Sequence, residues 1–189
     1  MGEKNPASLK GHFIVAMPGL PDPNFSKSVT CICEHVPAGA MGIVINKIHP
    51  ILTGKSVFEE LKIDYIPMAE SLPIHIGGPV HINEIMILHN APNKWEGSLQ
   101  ITPTLAMSNT RSILEAIALG NGPESSMIFL GCAGWGQGQL EYEIMQNTWL
   151  TCPVSDDIIF DIPVVECWEE TIKKMGVDPS MLSNTAGHA

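Results

Sequence analysis

The stretch GCAGWGQGQLEYEIMQNTWL, residues 131–150, governs how the whole chain is read, because four glycines and Trp135 run directly into an amphipathic pattern. Glycine contributes least to packing, so Gly131, Gly134, Gly136 and Gly138 imply backbone angles or close approaches that a side chain would forbid. Residues 139–149 predict a helix with Leu140 and Ile144 one turn apart on its inward face. The glycine run before it therefore reads as a tight turn packed close to a helix. A dinucleotide-binding fingerprint does not fit, since G-x-G-x-x-G counted from Gly134 and Gly136 ends on Gln139. Glu141 and Glu143 also suit the positive end of that helix themselves and would repel a phosphate placed there.

Working outward, the sequence before this stretch is dominated by strand signals. Residues 12–17 predict a first strand, stopped by PGLPDPN, where three prolines and Gly19 interrupt regular structure. Residues 28–35 and 41–46 are rich in β-branched side chains, and the intervening VPAGA predicts an antiparallel hairpin with a longer loop. Residues 54–62 place Val57, Phe58 and Leu61 at helical spacing. Three further strands are predicted over residues 73–76, 84–89 and 98–101, joined by the turns GGPV and NAPNKWEG. A helix follows over about residues 110–119, with Asn109 as N-cap, Ile113, Leu114 and Ile117 on one side and Gly120 as its stop. Residues 127–130 form a buried type of strand. Asp161 and Pro163 mark a last helix start, Gly176 its end, and Trp168, Ile172 and Met175 its apolar stripe; residues 179–189 read as a mobile tail. Strands gathered in the first half, helices in the second and at least one hairpin predict an α+β fold with a mixed, largely antiparallel sheet.

Composition narrows the function classes. The 189 residues suit one domain spanning 1–189, and 44% hydrophobic with 16% charged residues excludes a largely disordered chain. No apolar run approaches the ~20 residues of a membrane span. The run over residues 13–17 is shorter than the core of a secretory signal, so a cytoplasmic protein is expected. Cys31, Cys33, Cys132, Cys152 and Cys167 contain no C-x-x-C pair and read as reduced thiols. Twenty acidic against ten basic residues give a net charge of -10, and only Lys173 and Lys174 are adjacent cations. Direct binding to nucleic acid or to an anionic membrane is therefore disfavoured.

The familiar reaction motifs are missing or incomplete. Gly54, Lys55 and Ser56 would end a phosphate-binding loop only with glycine at position 49, which is His49. Cys31, Cys33 and His35 alternate and would share one face of a strand, but one strand offers poor tetrahedral geometry and Val29 on that face points to a core. No metal and no cofactor is expected. His75, His81 and His89 surround GGPV without H-E-x-x-H spacing, and there is no G-x-S-x-G. Acid–base chemistry would require the fold to unite His35, Glu34, His89 and Glu141, yet neighbours on a strand point to opposite faces, which separates Glu34 from His35. Asp22, inside the proline-rich turn, suits local backbone amides; Trp135 and Trp149 suit either a ligand stack or a core.

Four ordered blocks carry a resemblance: HFIVAMPGLPDPNFSKSV; CEH followed by GAMGIVIN; GGPV with ILH; and LGCAGWGQGQLEYEI with NTWL. Together they resemble the AlgH/YqgE family of bacterial proteins from about residue 9 to the closing AGHA. The resemblance implies a bifurcated, barrel-like sheet flanked by helices, and a label of transcriptional regulator, but no catalytic activity, cofactor or DNA site. Its signature falls on Asp22, Phe25, Glu34, His35, Asn46, Gly77, Gly78, Pro79, His89, Gly134, Trp135, Gln139, Leu140, Glu141 and Trp149. The chain departs from the family pattern at Cys132, where a tyrosine or similar residue is usual, and at residues 83–85, which lack the common Arg-Gly; an arginine there would bind an anion through two bonds.

Two functions of different class follow as expectations. The first is a non-catalytic cytosolic binding or regulatory protein that holds an unknown protein or small molecule through Asp22, Asn46, Gly77, Gly78, Pro79, Gly134, Trp135, Gln139 and Glu141. The second is a hydrolase-type enzyme that uses His35 or His89 with a carboxylate, Glu34 or Glu141.

Overall fold

In the computed structural model, which describes residues 8–90 and 95–182, the glycine-rich stretch is a strand and not a turn. The elements in chain order are β1 (His12–Ala16), β2 (Val29–Val36), β3 (Gly39–Val44), β4 (Ile48–Thr53), α1 (Gly54–Glu60), β5 (Pro73–Ile76), β6 (Val80–Asn90), β7 (Leu99–Gln100), β8 (Leu105–Ser108), α2 (Arg111–Ala118), β9 (Ser126–Gly136), α3 (Gln139–Met145), β10 (Trp149–Pro153), α4 (Asp156–Phe160) and α5 (Cys167–Lys174). Short 3-10 turns occupy Pro67–Ala69 and Pro179–Met181. The strands run in the order β10-β1-β2-β3-β9-β6-β8-β7, with β5 beside β9 and β4 beside β5. Among the described residues only β5 and β9 pair in parallel, so the α+β fold has a mixed, largely antiparallel sheet curled into a half barrel.

β9 is where the sheet divides. It pairs with β5 over residues 128–130 and with β3 over residues 133–136, and the branch falls at Gly131 and Cys132. Gly131 has φ +75, a conformation L side chains rarely adopt, and it shifts the in–out alternation of the strand: Phe129 and Cys132 face the same core although three residues apart. Gly77 and Gly78 cross this branch so closely that a Cβ at either would lie 2.2 Å from the carbonyl oxygens of Gly131 and Cys132 respectively. Only Gly138, at φ +72, serves the turn into α3.

Three apolar clusters result. The concave face gathers Phe13, Val15, Cys31, Ile43, Leu88 and Phe129, closed by Ile158 of α4 and by Trp168 and Ile172 of α5. The indole of Trp168 pins α5 by donating to the carbonyl of Ala16 at 2.9 Å. On the outer face, α1 and α2 cover one branch through Phe58, Ile113 and Ile117 against Ile74, Ile87 and Ile128. α3 covers the other branch through Leu140 against Ile14, Ile32, Trp135 and Trp149.

Several expectations are corrected. The β2–β3 hairpin closes tightly, with Val36 opposite Gly39, not through a longer loop. α3 ends at Met145 because Asn147 takes a left-handed conformation at φ 56, and Trp149 opens β10 against Ala16. Thr110, not Asn109, precedes α2 as its N-cap. β6 starts at Val80, inside the expected GGPV turn; the last helix, α5, starts at Cys167 and not at Asp161, and α4 before that point was not expected. β4, β8 and β10 carried no separate strand signal. Leu182 packs on the concave core, so the segment before residue 183 is not a free tail, and residues 183–189 lie outside the described residues. So do residues 91–94 of the expected NAPNKWEG turn.

Candidate functional site

The pairing of β2, β3 and β9 assembles the residues at one end of the sheet. His35 lies opposite Ala40, Ala40 opposite Trp135, and Gly39 opposite Gly136. The left-handed Gly138 then folds α3 back over this end, and Gln139 secures the turn by accepting the Gly136 N–H at 3.0 Å. Glu141 in the first turn of α3 reaches His35, with Nε2 and Oε1 2.8 Å apart. The backbone N–H of Leu9 donates to Nδ1 of the same ring at 2.9 Å. Because Nδ1 must accept from that amide, the neutral ring carries its proton on Nε2 and donates to Glu141. His35 thus ties the β2 end, the start of β1 and α3 together.

Two residues further along α3, Glu143 gathers three donors. Its Oε2 accepts the indole N–H of Trp149 at 2.8 Å and of Trp135 at 3.0 Å, and its Oε1 accepts from the Gln139 amide at 3.0 Å. Phe25 completes the cluster edge-on to Trp149, with centroids 5.5 Å apart. Asp22 places Phe25: its carboxylate accepts the Asn24 N–H at 2.8 Å and its carbonyl accepts the Phe25 N–H at 3.0 Å. The local-turn reading of Asp22 agrees with this geometry. Asn46 bridges two chain segments, accepting the Val29 N–H and donating to the Lys27 carbonyl, each at 2.8 Å.

The structure therefore brings His35, Glu141, Trp135 and Gln139 into one cluster and leaves the other candidates elsewhere. Glu34 is exposed beside a β-bulge between Ile32 and Glu34. That bulge also overturns the expected common face of Cys31, Cys33 and His35: the two cysteines lie in the concave core, while His35 meets α3 on the opposite face. His89 sits at the far end of β9, opposite Ser126, where its Nδ1 is 3.1 Å from the Asn90 carbonyl and burial lowers its pKa. Gly77, Gly78 and Pro79 lie at the branch, where the Gly77 N–H donates to Leu130 and its carbonyl accepts from Val44, both at 2.8 Å. Gly134 pairs with Met41 inside the sheet. Among the described residues no group of His, Cys, Asp and Glu is placed to hold a metal.

Two features escaped the sequence reading. Glu143 was seen only as a helix-start charge, although its spacing of four from Gln139 was a usable signal. The other is a groove of about 550 Å³ along β6, lined by Leu52, Val57, Leu61, Ile82, Ile85 and Leu130 with Ser56, Glu60 and Asn83. A second lobe of about 290 Å³ shares Leu61, Asn83 and Ile85 and extends to Glu84, Thr110, Arg111 and Leu114. No residue type marks such a place, because it forms where the β6 ladder jumps from Val80–Cys132 to Ile85–Leu130.

Comparison with known proteins places the chain. A family model described as AlgH-like matches residues 13–180. A UPF0301 protein of Desulforapulum autotrophicum is 50% identical over 189 residues, covering all of both chains. The UPF0301 protein AlgH of Pseudomonas aeruginosa is 43% identical, again over the whole of both, and its solution structure superposes with a TM-score of 0.80. A crystal structure from Corynebacterium diphtheriae, at 22% identity and a TM-score of 0.70, covers 92% of this chain and 90% of its own and shares the fold. Full-length matches at this identity, together with the divided sheet, make the chain a member of the AlgH-like family.

Proposed function

We propose that this protein is a non-catalytic binding protein of the cytosol, which holds another protein and influences transcription only through that partner. The observation that carries this reading is the apolar groove along β6, where Ile82 is 61% exposed among Leu52, Val57, Leu61 and Leu130. The polar cluster under α3 supports it from the other side. Both nitrogens of His35 are engaged, one by the Leu9 amide and one by Glu141, and Glu143 is occupied by two indoles and an amide. These groups hold α3 on the sheet. A free acid–base pair would need at least one of them uncommitted. The net charge of -10 favours contact with protein over contact with nucleic acid.

The test is site-specific photo-crosslinking in bacterial cytosol, with the crosslinker at position 82 and, as control, at Val165, which is 88% exposed but lies away from the groove residues. One recurring protein adduct at 82, absent at 165, whose purified form binds saturably and is lost on Ile82→Asp, is the expected result. Adducts of equal pattern at both positions, or a metabolite consumed on incubation, would overturn the reading.

A further inference from the structure

We propose that the occupant of the β6 groove is an extended, cationic peptide segment that adds as a strand along the free edge of β6. This rests on the binding reading above and names the chemistry of its partner. β6 pairs with β8 only over residues 87–90, because the chain leaves β8 at Ser108 and turns into α2. Its ladder with β9 jumps from Val80 to Ile85, so residues 81–84 have no register partner in β9 either. Residues 81–84 form the long arm of a β-bulge, with His81 left-handed at φ 51, so the open edge of β6 is at Ile85 and Met86, which pair with β9 but not with β8, beside two lobes of one groove. A strand edge without a neighbouring strand, beside apolar walls, is the recognised setting for strand addition: main-chain bonds hold the guest, and alternate side chains enter the pockets.

The walls fix the side-chain chemistry. Leu52, Val57, Leu61, Ile85 and Leu130 offer an apolar trough for every second residue of the guest. Its rim carries Glu60 and Glu84. Among the described lining residues the one cation, Arg111, is held by Glu115 at 2.5 Å and by the carbonyl of Lys62. His81 lies 3.1 Å from Glu84 on the same strand and becomes a cation only when protonated. The net field at neutral pH is therefore negative, and lysine or arginine at the outward positions of the guest would meet it.

The test uses a fluorescein-labelled, amidated peptide of alternating lysine and valine and its glutamate counterpart, titrated against the full chain by fluorescence anisotropy, with backbone NMR shifts as a map. We expect saturable binding of the lysine peptide, at least tenfold weaker binding of the glutamate peptide, and shifts centred on residues 81–86. Ile82→Asp separates groove binding from general attraction. It adds negative charge, so non-specific attraction would strengthen, whereas groove binding falls at least tenfold; Glu84→Lys should weaken it as well. Ile82 is largely exposed, so the variant keeps the parent circular dichroism and urea midpoint. Absence of saturable binding, equal binding of both peptides, undiminished binding by Ile82→Asp, or shifts away from β6 would each overturn the proposal. A doubled mass in light scattering that Ile82→Asp abolishes would assign the groove to a second copy and overturn it too. If crosslinking at position 82 finds a protein partner that lacks a cationic strand segment, this inference fails while the binding reading stands; if no partner adduct forms there, the binding reading fails first.

Discussion

Replacing Glu143 by alanine tests whether the polar cluster under α3 is a structural latch. The carboxylate receives the indole N–H groups of Trp135 and Trp149, whose residues are 6% and 4% exposed, and the amide of Gln139. Hydrogen bonds to a charged acceptor contribute about 1.5–3 kcal/mol each, and a buried donor left unpaired costs about 1–3 kcal/mol. Glu143 itself is only half-buried, so water reaches part of the vacated space; taking the low end for two indoles gives about 2–3 kcal/mol. Against a total of about 5–15 kcal/mol this is a large loss. Glu143→Gln keeps an oxygen for both indoles but turns an amide toward Gln139, and should cost about 1 kcal/mol. In the alanine background Trp149→Phe should then cost less than it does alone, with a coupling of about 1 kcal/mol, because its indole has already lost its acceptor. Urea unfolding followed by circular dichroism gives these values, provided the slopes match between variants. A loss of under about 0.5 kcal/mol for Glu143→Ala, the level of an ordinary surface substitution, would refute the latch.

Nitrogen-15 NMR of His35 should show the neutral ring protonated at Nε2, since Nδ1 accepts from Leu9; a ring protonated at Nδ1 would contradict the bond assignment. Burial lowers the pKa of both His75 and His89. The unfolded chain therefore binds more protons as pH falls below about 6.5, the ordinary histidine value, so their contribution is intact above that pH and declines on acidification toward the lowered folded values. NMR titration should place both midpoints below about 6.5, the ordinary histidine value, and a midpoint for His75 at or above it would refute the burial argument. Gly78→Ala should abolish folding, because its Cβ would meet the Cys132 carbonyl at 2.2 Å, whereas Gly138→Ala, at φ +72 in open space, should cost only about 1 kcal/mol. Soluble expression and thermal melts distinguish the two, and similar behaviour would deny the close crossing at the branch. Burial pushes the Cys167 thiol up to about 11, so at pH 8 only about a thousandth is thiolate and alkylation should reach half-buried Cys152 first.

Local patterns made a good part of the fold legible. Short apolar and β-branched runs bounded by turn residues placed β1, β2, β3 and β5, and the Ile113–Leu114–Ile117 stripe placed α2. The stretch that governed the reading was half misread. Four closely spaced glycines indicate that side chains are excluded, but not whether a turn or another backbone excludes them. Here Gly77 and Gly78 cross β9, and the crossing partner lies more than fifty residues earlier in the chain. Trp149 showed a similar limit: no glycine or proline separates it from the run expected to be α3, and only pairing with Ala16 makes it the first residue of β10. Of the site candidates, His35, Glu141, Trp135 and Gln139 do meet, while Glu34 and His89 lie apart because a bulge and the length of β9 intervene.

By itself the sequence determined the α+β class, the largely antiparallel sheet, the excess of acidic charge and the family, because these depend on periodicity, composition and ordered blocks of residues within one stretch of chain. Tertiary structure alone decided where the sheet divides, which carboxylate holds which indole, and where β6 is left with an open edge. Each of these is a relation between segments distant in sequence, set by backbone approach and register. A one-residue shift in register would reverse the faces while leaving the local pattern unchanged.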